Sequence, residues 1–384
     1  MDGIILKKGK DKPLKQGHLW IFSGAVEAMP DAQDGAIAPV FNASKELLGH
    51  AFVSHGSIAG RIISKGSAEP LAALKSALLE SIALRLELCK KDTAYRLVNG
   101  EADRLPGLIV DFYAGGLVLQ IGTRGMDRLK GWLVDCLVEA LQPKWIFEKS
   151  TSPARAAEGM KPLEAPLFGE VPDAIEILES GLKFYALPKS GQKTGFFLDH
   201  RQMRQKVRDL SFQKRVLNCF CYTGAFSIYA LAGGASCVTS VDVSQPALDL
   251  LDQHIALNDL PKQNESRQAD VFDFLRDAPL DYDLVILDPP AFAKKQRDVI
   301  QACRAYKEIN RMAFKKMPPK SFLLTASCSY HVDAKLFQQV VFQAAVEAGR
   351  ECRIISRHQM APDHPVNLLH PEGDYLKSLL LYLS

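Results

Sequence analysis

Val216-Leu217-Asn218-Cys219-Phe220-Cys221-Tyr222-Thr223-Gly224-Ala225-Phe226 decides the fold of this 384-residue chain. An apolar run ends in a short loop with one glycine and a helical stretch follows at once, the strand, turn and helix that open a doubly wound α/β sheet. Outward from it, apolar runs recur at 237–243, 284–287 and 322–326, with helical stretches at 225–231, 245–257 and 302–317 between them. Regular alternation of this kind predicts a mostly parallel, Rossmann-like sheet covered on both faces. A helix at 334–349 precedes strands at 352–358 and 377–383. That last pair is joined by a loop rather than a helix, which predicts one antiparallel strand at the edge of the sheet.

Toward the N-terminus the pattern changes. Residues 1–67 hold short alternating segments broken by turn residues, a small β domain. Leu71, Leu74, Leu78, Ile82, Leu86 and Cys89 recur at spacings of three and four behind Pro70, which predicts a helix over 71–91. Strands at 107–112, 116–122 and 145–149 with a helix at 126–141 complete a central α/β unit. The expected domains are therefore 1–67, 68–186 and 187–384. At 47% hydrophobic and 24% charged residues the chain is of ordinary globular composition. Its apolar runs fall far short of the roughly 18 residues that span a bilayer, and the first residues do not read as a secretory signal, so the cytoplasm is expected. Eight cysteines without a CxxC pair are too sparse for a disulfide framework and complete no four-ligand metal set, so a reducing compartment and no metal are expected. A homodimer is left open.

The loop after 216–220 points to a nucleoside. Asp242 ends the next strand about 20 residues on, where doubly wound folds place a carboxylate on ribose hydroxyls. Yet Cys221-Tyr222-Thr223-Gly224 has one glycine where a dinucleotide fingerprint has three, and the extra glycines serve to let backbone approach a pyrophosphate. S-adenosylmethionine fits better, since it has adenine and ribose, no phosphate, and a cationic sulfonium suited to carboxylates and aromatic faces. Asp270, ending the third strand, is placed to accept the adenine amino group. The alternative for both aspartates is a helix cap.

Asp283-Leu284-Val285-Ile286-Leu287-Asp288-Pro289-Pro290-Ala291-Phe292 supplies the catalytic end. Two prolines stop the strand and fix the loop, leaving the Asp288 carboxylate at the ligand-binding edge, able to hydrogen-bond a flat base. The next strand ends Thr325-Ala326-Ser327-Cys328-Ser329. Cytosine C5 is a poor nucleophile until a thiolate adds at C6, and Cys328 can supply that thiolate; amino-group methylation needs none. The alternative is a small buried core cysteine.

Net charge is only +3, but it is unevenly placed. Residues 1–16, with Lys7 and Lys8, carry +3; residues 294–320, with Lys294, Lys295 and Arg304, carry +7; residues 201–215 carry +5. Three basic blocks on a nearly neutral chain predict a polyanion surface, with Trp20 as a stacking or packing residue.

These motifs together resemble the ribosomal RNA large-subunit methyltransferase I family, class I methyltransferases that make 5-methylcytosine. The carriers are Leu19-Trp20-Ile21-Phe22-Ser23-Gly24, Leu105-Pro106-Gly107-Leu108, Lys193-Thr194-Gly195-Phe196-Phe197-Leu198-Asp199, Leu217-Asn218-Cys219-Phe220, Tyr222-Thr223-Gly224, Asp288-Pro289-Pro290, Tyr306-Lys307-Glu308-Ile309-Asn310 and Ser327-Cys328-Ser329. The resemblance implies a PUA-like N-terminal domain, ribosomal RNA as partner, and a cofactor pocket lined by Phe196, Asp199, Phe220, Tyr222, Thr223, Gly224, Asp242 and Asp270. It implies that Asp288 holds the base and that Cys328 is the nucleophile. The chain departs from the family pattern at His200, where Gln often stands, and at Ala291, where Lys is frequent. Two rival readings remain from the sequence: a guanine N-methyltransferase with a structural Cys328, and an RNA-binding or assembly factor without chemistry.

Overall fold

A computed structural model describes residues 2–384. By contacts the chain divides into two compact units, one comprising Met1–Leu178, Tyr185–Leu198 and Pro362–Gly373, the other Glu179–Phe184, Asp199–Ala361 and Asp374–Ser384. Among the described residues no helix is long and apolar enough to cross a membrane.

The first unit holds two sheets. A six-stranded one runs Trp20–Phe22, Ile58–Lys65, Leu47–Val53, Ile37–Phe41, Ile4–Leu6, Val26–Ala28. Ile4 and Leu6 join its core with Ile21, Val40 and Val53, so the strand preceding Lys7 is built into the sheet, and Lys12–Lys15 form a short helix. The second sheet is five-stranded, Leu163–Phe168, Trp145–Ser150, Gly116–Ile121, Leu108–Tyr113, Ala94–Asn99. Leu74, Leu78 and Ile82 of the Pro70–Leu88 helix share its core with Leu133 and Leu137 of Lys130–Leu141. Glu69 starts the first of these helices, accepting from the Leu71 and Ala72 N–H groups at 3.0 and 2.6 Å. The helix expected over 126–141 is two helices, Arg124–Arg128 and Lys130–Leu141, broken at Leu129. Two strands of this five-stranded sheet escape the sequence pattern. Ala94–Asn99 is covered on both faces and so does not alternate, and Leu163–Phe168 is an edge strand carrying Pro166.

The second unit is a seven-stranded sheet in the order Asn264–Gln268, Cys237–Asp242, Arg215–Cys219, Leu284–Leu287, Phe322–Ser327, Lys377–Leu383, Cys352–His358. Leu217, Val241, Val285 and Leu323 point to one face, packed by Val271–Asp277, Val299–Lys316 and Ala334–Glu347. The antiparallel strand is present but is not the edge. Lys377–Leu383 runs antiparallel to both neighbours, and Cys352–His358 lies outside it. Burial explains the order: Lys377–Leu383 is buried at all but one position and needs a partner on each side, whereas Cys352–His358 alternates between exposed and half-buried positions.

One buried ion cluster anchors this unit. Glu179, fully buried, accepts from Arg204 Nε and Nη2 at 2.7 Å each and from the Tyr229 hydroxyl at 3.0 Å, with Arg201 Nε at 3.4 Å. Replacing Glu179 by Ala strands the Arg204 guanidinium, which is 1% exposed, and should lower unfolding free energy by about 3–5 kcal/mol. Chemical denaturation of the full chain checks this; an unchanged midpoint would contradict it.

Candidate active site

The loop after Arg215–Cys219 bends by repeated left-handed residues: Phe220 has φ +58°, Tyr222 +48° and Gly224 +74°. Two of the three are not glycine, so something must hold them. Asp242 does so, one carboxylate oxygen accepting from the Tyr222 N–H at 2.8 Å and the other from the Ser244 N–H at 2.9 Å. His254 holds the loop from beneath, its Nδ1 donating to the Thr223 carbonyl at 3.0 Å. Gly224 is required twice over, by its φ and because a Cβ there would lie 2.1 Å from Leu251 Cδ1. Phe220 packs edge-on to Phe272, and Phe272 in turn meets Phe292, forming an aromatic wall between the loop and the proline segment. Asp270 is exposed and caps the Val271–Asp277 helix, its Oδ1 accepting from the Phe272 and Asp273 N–H groups at 2.8 and 3.2 Å.

Asp288 ends the Leu284–Leu287 strand half-buried. Its Oδ2 lies 3.6 Å from His200 Nε2, and the same nitrogen is 3.9 Å from Asp199 Oδ1. Tyr375 donates to the other Asp199 oxygen at 2.7 Å. Burial pushes the Asp288 carboxyl above its ordinary range, against the opposing pull of His200 and with a smaller push from Asp199. His200 is buried, packed edge-on to Phe226, and its Nδ1 makes no hydrogen bond among the described residues. Sequence reasoning noted His200 only as a departure from the family pattern. That departure was the available signal, because it put a titratable ring where an amide is usual.

Cys328 follows the Phe322–Ser327 strand, half-buried, with Sγ 3.9 Å from the Pro289 carbonyl oxygen. Ser329 staples the same two segments. Its hydroxyl accepts from the Ala293 N–H at 3.0 Å and hydrogen-bonds the Tyr306 hydroxyl at 2.9 Å. Lys377, which the sequence reading did not single out, donates from Nζ to the Ser329 carbonyl at 2.5 Å and to the Tyr375 carbonyl at 2.8 Å. Three carboxylates and aromatic faces beside a one-glycine loop suit a cationic group with hydroxyls and not a pyrophosphate.

The remaining predicted residues are placed as follows. Phe196 belongs to the first unit, buried, its carbonyl accepting from the Tyr113 hydroxyl at 3.3 Å. Lys7 and Lys8 are exposed. Trp20 is half-buried, its indole N–H donating to Glu101 at 3.0 Å and its ring edge-on to His370 at 4.5 Å, which commits much of it to packing. Lys294, Lys295 and Arg304 are exposed, without ion pairs among the described residues. Half of the basic block at 201–215 is withdrawn from any polyanion surface, since Arg201 and Arg204 are buried on Glu179 and Arg215 is bidentate on Asp281, while Lys206 stays exposed. Within 294–320, Lys307 pairs with Glu347 and Arg311 with Glu308.

Known proteins resemble the chain over nearly its whole length. The profile of a family described as S-adenosylmethionine-dependent methyltransferase matches residues 159–373, and a PUA-like domain profile matches residues 4–65. A Photobacterium profundum protein named ribosomal RNA large subunit methyltransferase I is 39% identical, with 99% of each chain covered. An Aliivibrio fischeri protein of the same name is 40% identical over 97% of each. Among solved structures, a Streptococcus mutans protein assigned as a SAM-dependent methyltransferase superposes with a TM-score of 0.86 at 24% identity, covering 99% of this chain and 100% of that one. Another, solved in complex with SAH, gives 0.85 at 25% identity with the same coverage.

The raised Asp288 carboxyl has a thermodynamic consequence. A group whose pKa is higher folded than unfolded stabilises below its unfolded value and loses that stabilisation as pH rises through the folded one. Asp288→Asn should therefore raise the thermal midpoint at pH 7, with the gain vanishing below about pH 4, the ordinary aspartate value. Scanning calorimetry across that range checks it; a lower midpoint for the variant at pH 7 would contradict the burial argument.

Proposed function

The chain belongs to the S-adenosylmethionine-dependent methyltransferase family, among the ribosomal RNA large subunit methyltransferase I proteins, and from that premise we propose that it forms 5-methylcytosine in large-subunit ribosomal RNA. The observation that carries the choice of carbon is the Cys328 thiol, half-exposed and against the carbonyl of the loop that presents Asp288. Burial pushes the Cys219 and Cys221 thiols up, which disfavours their thiolates, so neither competes for the role of nucleophile.

Asp199, Phe220, Tyr222, Thr223, Gly224, Asp242 and Asp270 would hold S-adenosylmethionine, with Asp242 fixing the loop that faces the ribose. When bound, the cofactor supplies an electrophilic methyl group. Asp288 holds the cytosine edge, and the burial that raises its carboxyl above the ordinary range favours hydrogen bonding to the base over solvent exposure of the charge. Cys328 as thiolate adds to C6, its electron pair forming the S–C6 bond while the C5–C6 π pair becomes available at C5. Once C5 carries the methyl group, its proton would pass to water, the C5–H pair would re-form the C5–C6 double bond, and the S–C6 pair would return to sulfur, regenerating the Cys328 thiolate. Residues 1–67 are proposed as an RNA-binding module, with Lys7 and Lys8 on phosphates, 68–186 as the central domain and 187–384 as the catalytic domain. Lys294, Lys295 and Arg304 would bind phosphates beside the catalytic loop. This work belongs in the cytoplasm, where ribosomal RNA is modified in bacteria.

Two measurements test the reading. Cys328→Ser should lower methyl transfer to undermodified ribosomal RNA by a factor on the order of 10³ or more, read by nucleoside mass spectrometry. Retained activity, or a methylated guanine as product, would instead support the amino-group reaction with a structural cysteine. The double variant Lys294→Ala, Lys295→Ala should weaken RNA binding and reduce the slope of log affinity against log salt by about 1–2; an unchanged slope would remove both lysines from the interface.

A further inference from the structure

A thiol with an ordinary pKa is mostly protonated at neutral pH, so the proposed nucleophile needs a nearby cation or base. The Pro289 carbonyl, 3.9 Å from Sγ, accepts a hydrogen bond from the thiol and does not stabilise a thiolate. The cation comes from the strand alongside. Lys377 is the antiparallel register partner of Ser327, the residue before Cys328. We propose that Lys377 is the positioning residue of the nucleophile: its ammonium, fixed on the carbonyls of Ser329 and Tyr375, turns its remaining N–H to Cys328 and holds the sulfur as thiolate. The proposal rests on the reading of Cys328 as nucleophile and adds what activates it.

Three observations support it. An ammonium has three donors, and among the described residues Nζ uses two, at 2.5 Å to Ser329 and 2.8 Å to Tyr375. Both carbonyls lie on segments that border the site, since Ser329 adjoins Cys328 and Tyr375 also holds Asp199. Second, Lys377 is 7% exposed and opens a strand that otherwise reads Ser-Leu-Leu-Leu-Tyr-Leu, yet it forms no carboxylate ion pair among the described residues. A lone buried ammonium is costly for folding alone and is a common mark of a functional group. Third, burial draws its pKa down to about 8, with Cys328, Asp374 and Asp333 pulling the other way. At neutral pH it is still mostly charged.

Other groups around the pair set the balance. Asp333 is engaged in capping the Ala334–Glu347 helix, and Asp374 accepts from Gln359. Tyr306 faces Cys328 as a neutral phenol, its pKa raised by burial, and Asp288 lies one residue from the Pro289 carbonyl. The carboxylates favour the ammonium and disfavour a thiolate, which leaves Lys377 as the cation that offsets them. In the activating step Cys328 loses its S–H proton to solvent and keeps the electron pair on sulfur; that pair then forms the S–C6 bond.

The test is the pH dependence of Cys328 alkylation by iodoacetamide, read by peptide mass spectrometry on RNA-free full-length protein. Wild type should react with a midpoint at least about one unit below the ordinary thiol value of 8.5. Lys377→Met should raise that midpoint by about a unit or more and lower methyl transfer at pH 7 at least about tenfold, with partial recovery at higher pH. Lys377→Arg, which keeps the charge, should hold the midpoint near that of wild type. A wild-type midpoint at or above 8.5, or a folded Lys377→Met variant with an unchanged midpoint, overturns the proposal. The wild-type measurement stands even where Lys377→Met fails to fold. Activity surviving in Cys328→Ser would sink the nucleophile reading itself, a different outcome from an inactive Cys328→Ser with Lys377 irrelevant to the midpoint.

Discussion

Backbone pairing between Phe322–Ser327 and Lys377–Leu383 is the constraint on which the site depends. Parallel strands deliver their C-terminal ends to one edge, and that edge collects the loop at 220–224, Asp242, Asp288 and Cys328. A parallel neighbour would bring its own C-terminal end there as well. The antiparallel strand instead brings its N-terminal end to the same edge, and with it Lys377. Slipping this register by one residue would turn Lys377 to the opposite face and remove its contact with the Ser329 carbonyl.

Much of this was legible in the sequence, for reasons that differ by element. The strand, loop and helix at 216–226 was readable because glycine placement and strand length are local properties. Asp242 was readable because the fold fixes the spacing from one strand end to the next. The placement of the last two strands was misjudged, although the sequence carried the information. Lys377–Leu383 is nearly all apolar beyond its first residues, whereas Cys352–His358 carries Arg353, Ser356, Arg357 and His358, and that contrast separates an interior strand from an edge. His200, Tyr375 and Lys377 were not assigned roles because their meaning arises from contacts across more than 40 residues of chain, which no local pattern encodes.

Counting basic residues misled for a related physical reason. A block's net charge describes a surface only if its members reach water, and two of the cations in 201–215 are instead consumed by Glu179 inside the fold. The 294–320 block is mixed, with Lys307 and Arg311 paired while Lys294, Lys295 and Arg304 stay exposed. Under the proposed function, affinity for a phosphate backbone would depend on this smaller exposed set, because a cation already neutralised releases few counterions on binding. Charge density near the proline loop is therefore modest, and the proposed recognition would draw on shape and base contacts as well.

The groups at the site are held at a cost to stability. Asp288 is a carboxylate made less acidic by burial, Lys377 an ammonium made more acidic by it, and Phe220 and Tyr222 occupy backbone conformations that non-glycine residues rarely adopt. Each is tolerable because its surroundings are over-determined: Asp242 grips the loop with both oxygens, and Ser329 pins the proline segment to Tyr306. Burial shifts the acid up and the base down, bringing both closer to neutrality than either would be in water. Under the proposed function, a site that would hold a base edge and a thiolate gains from groups whose charged forms are destabilised by burial, because their protonation responds to what binds beside them. Water-exposed Asp and Lys side chains, whose charged forms are fully solvated, would respond less to such a neighbour.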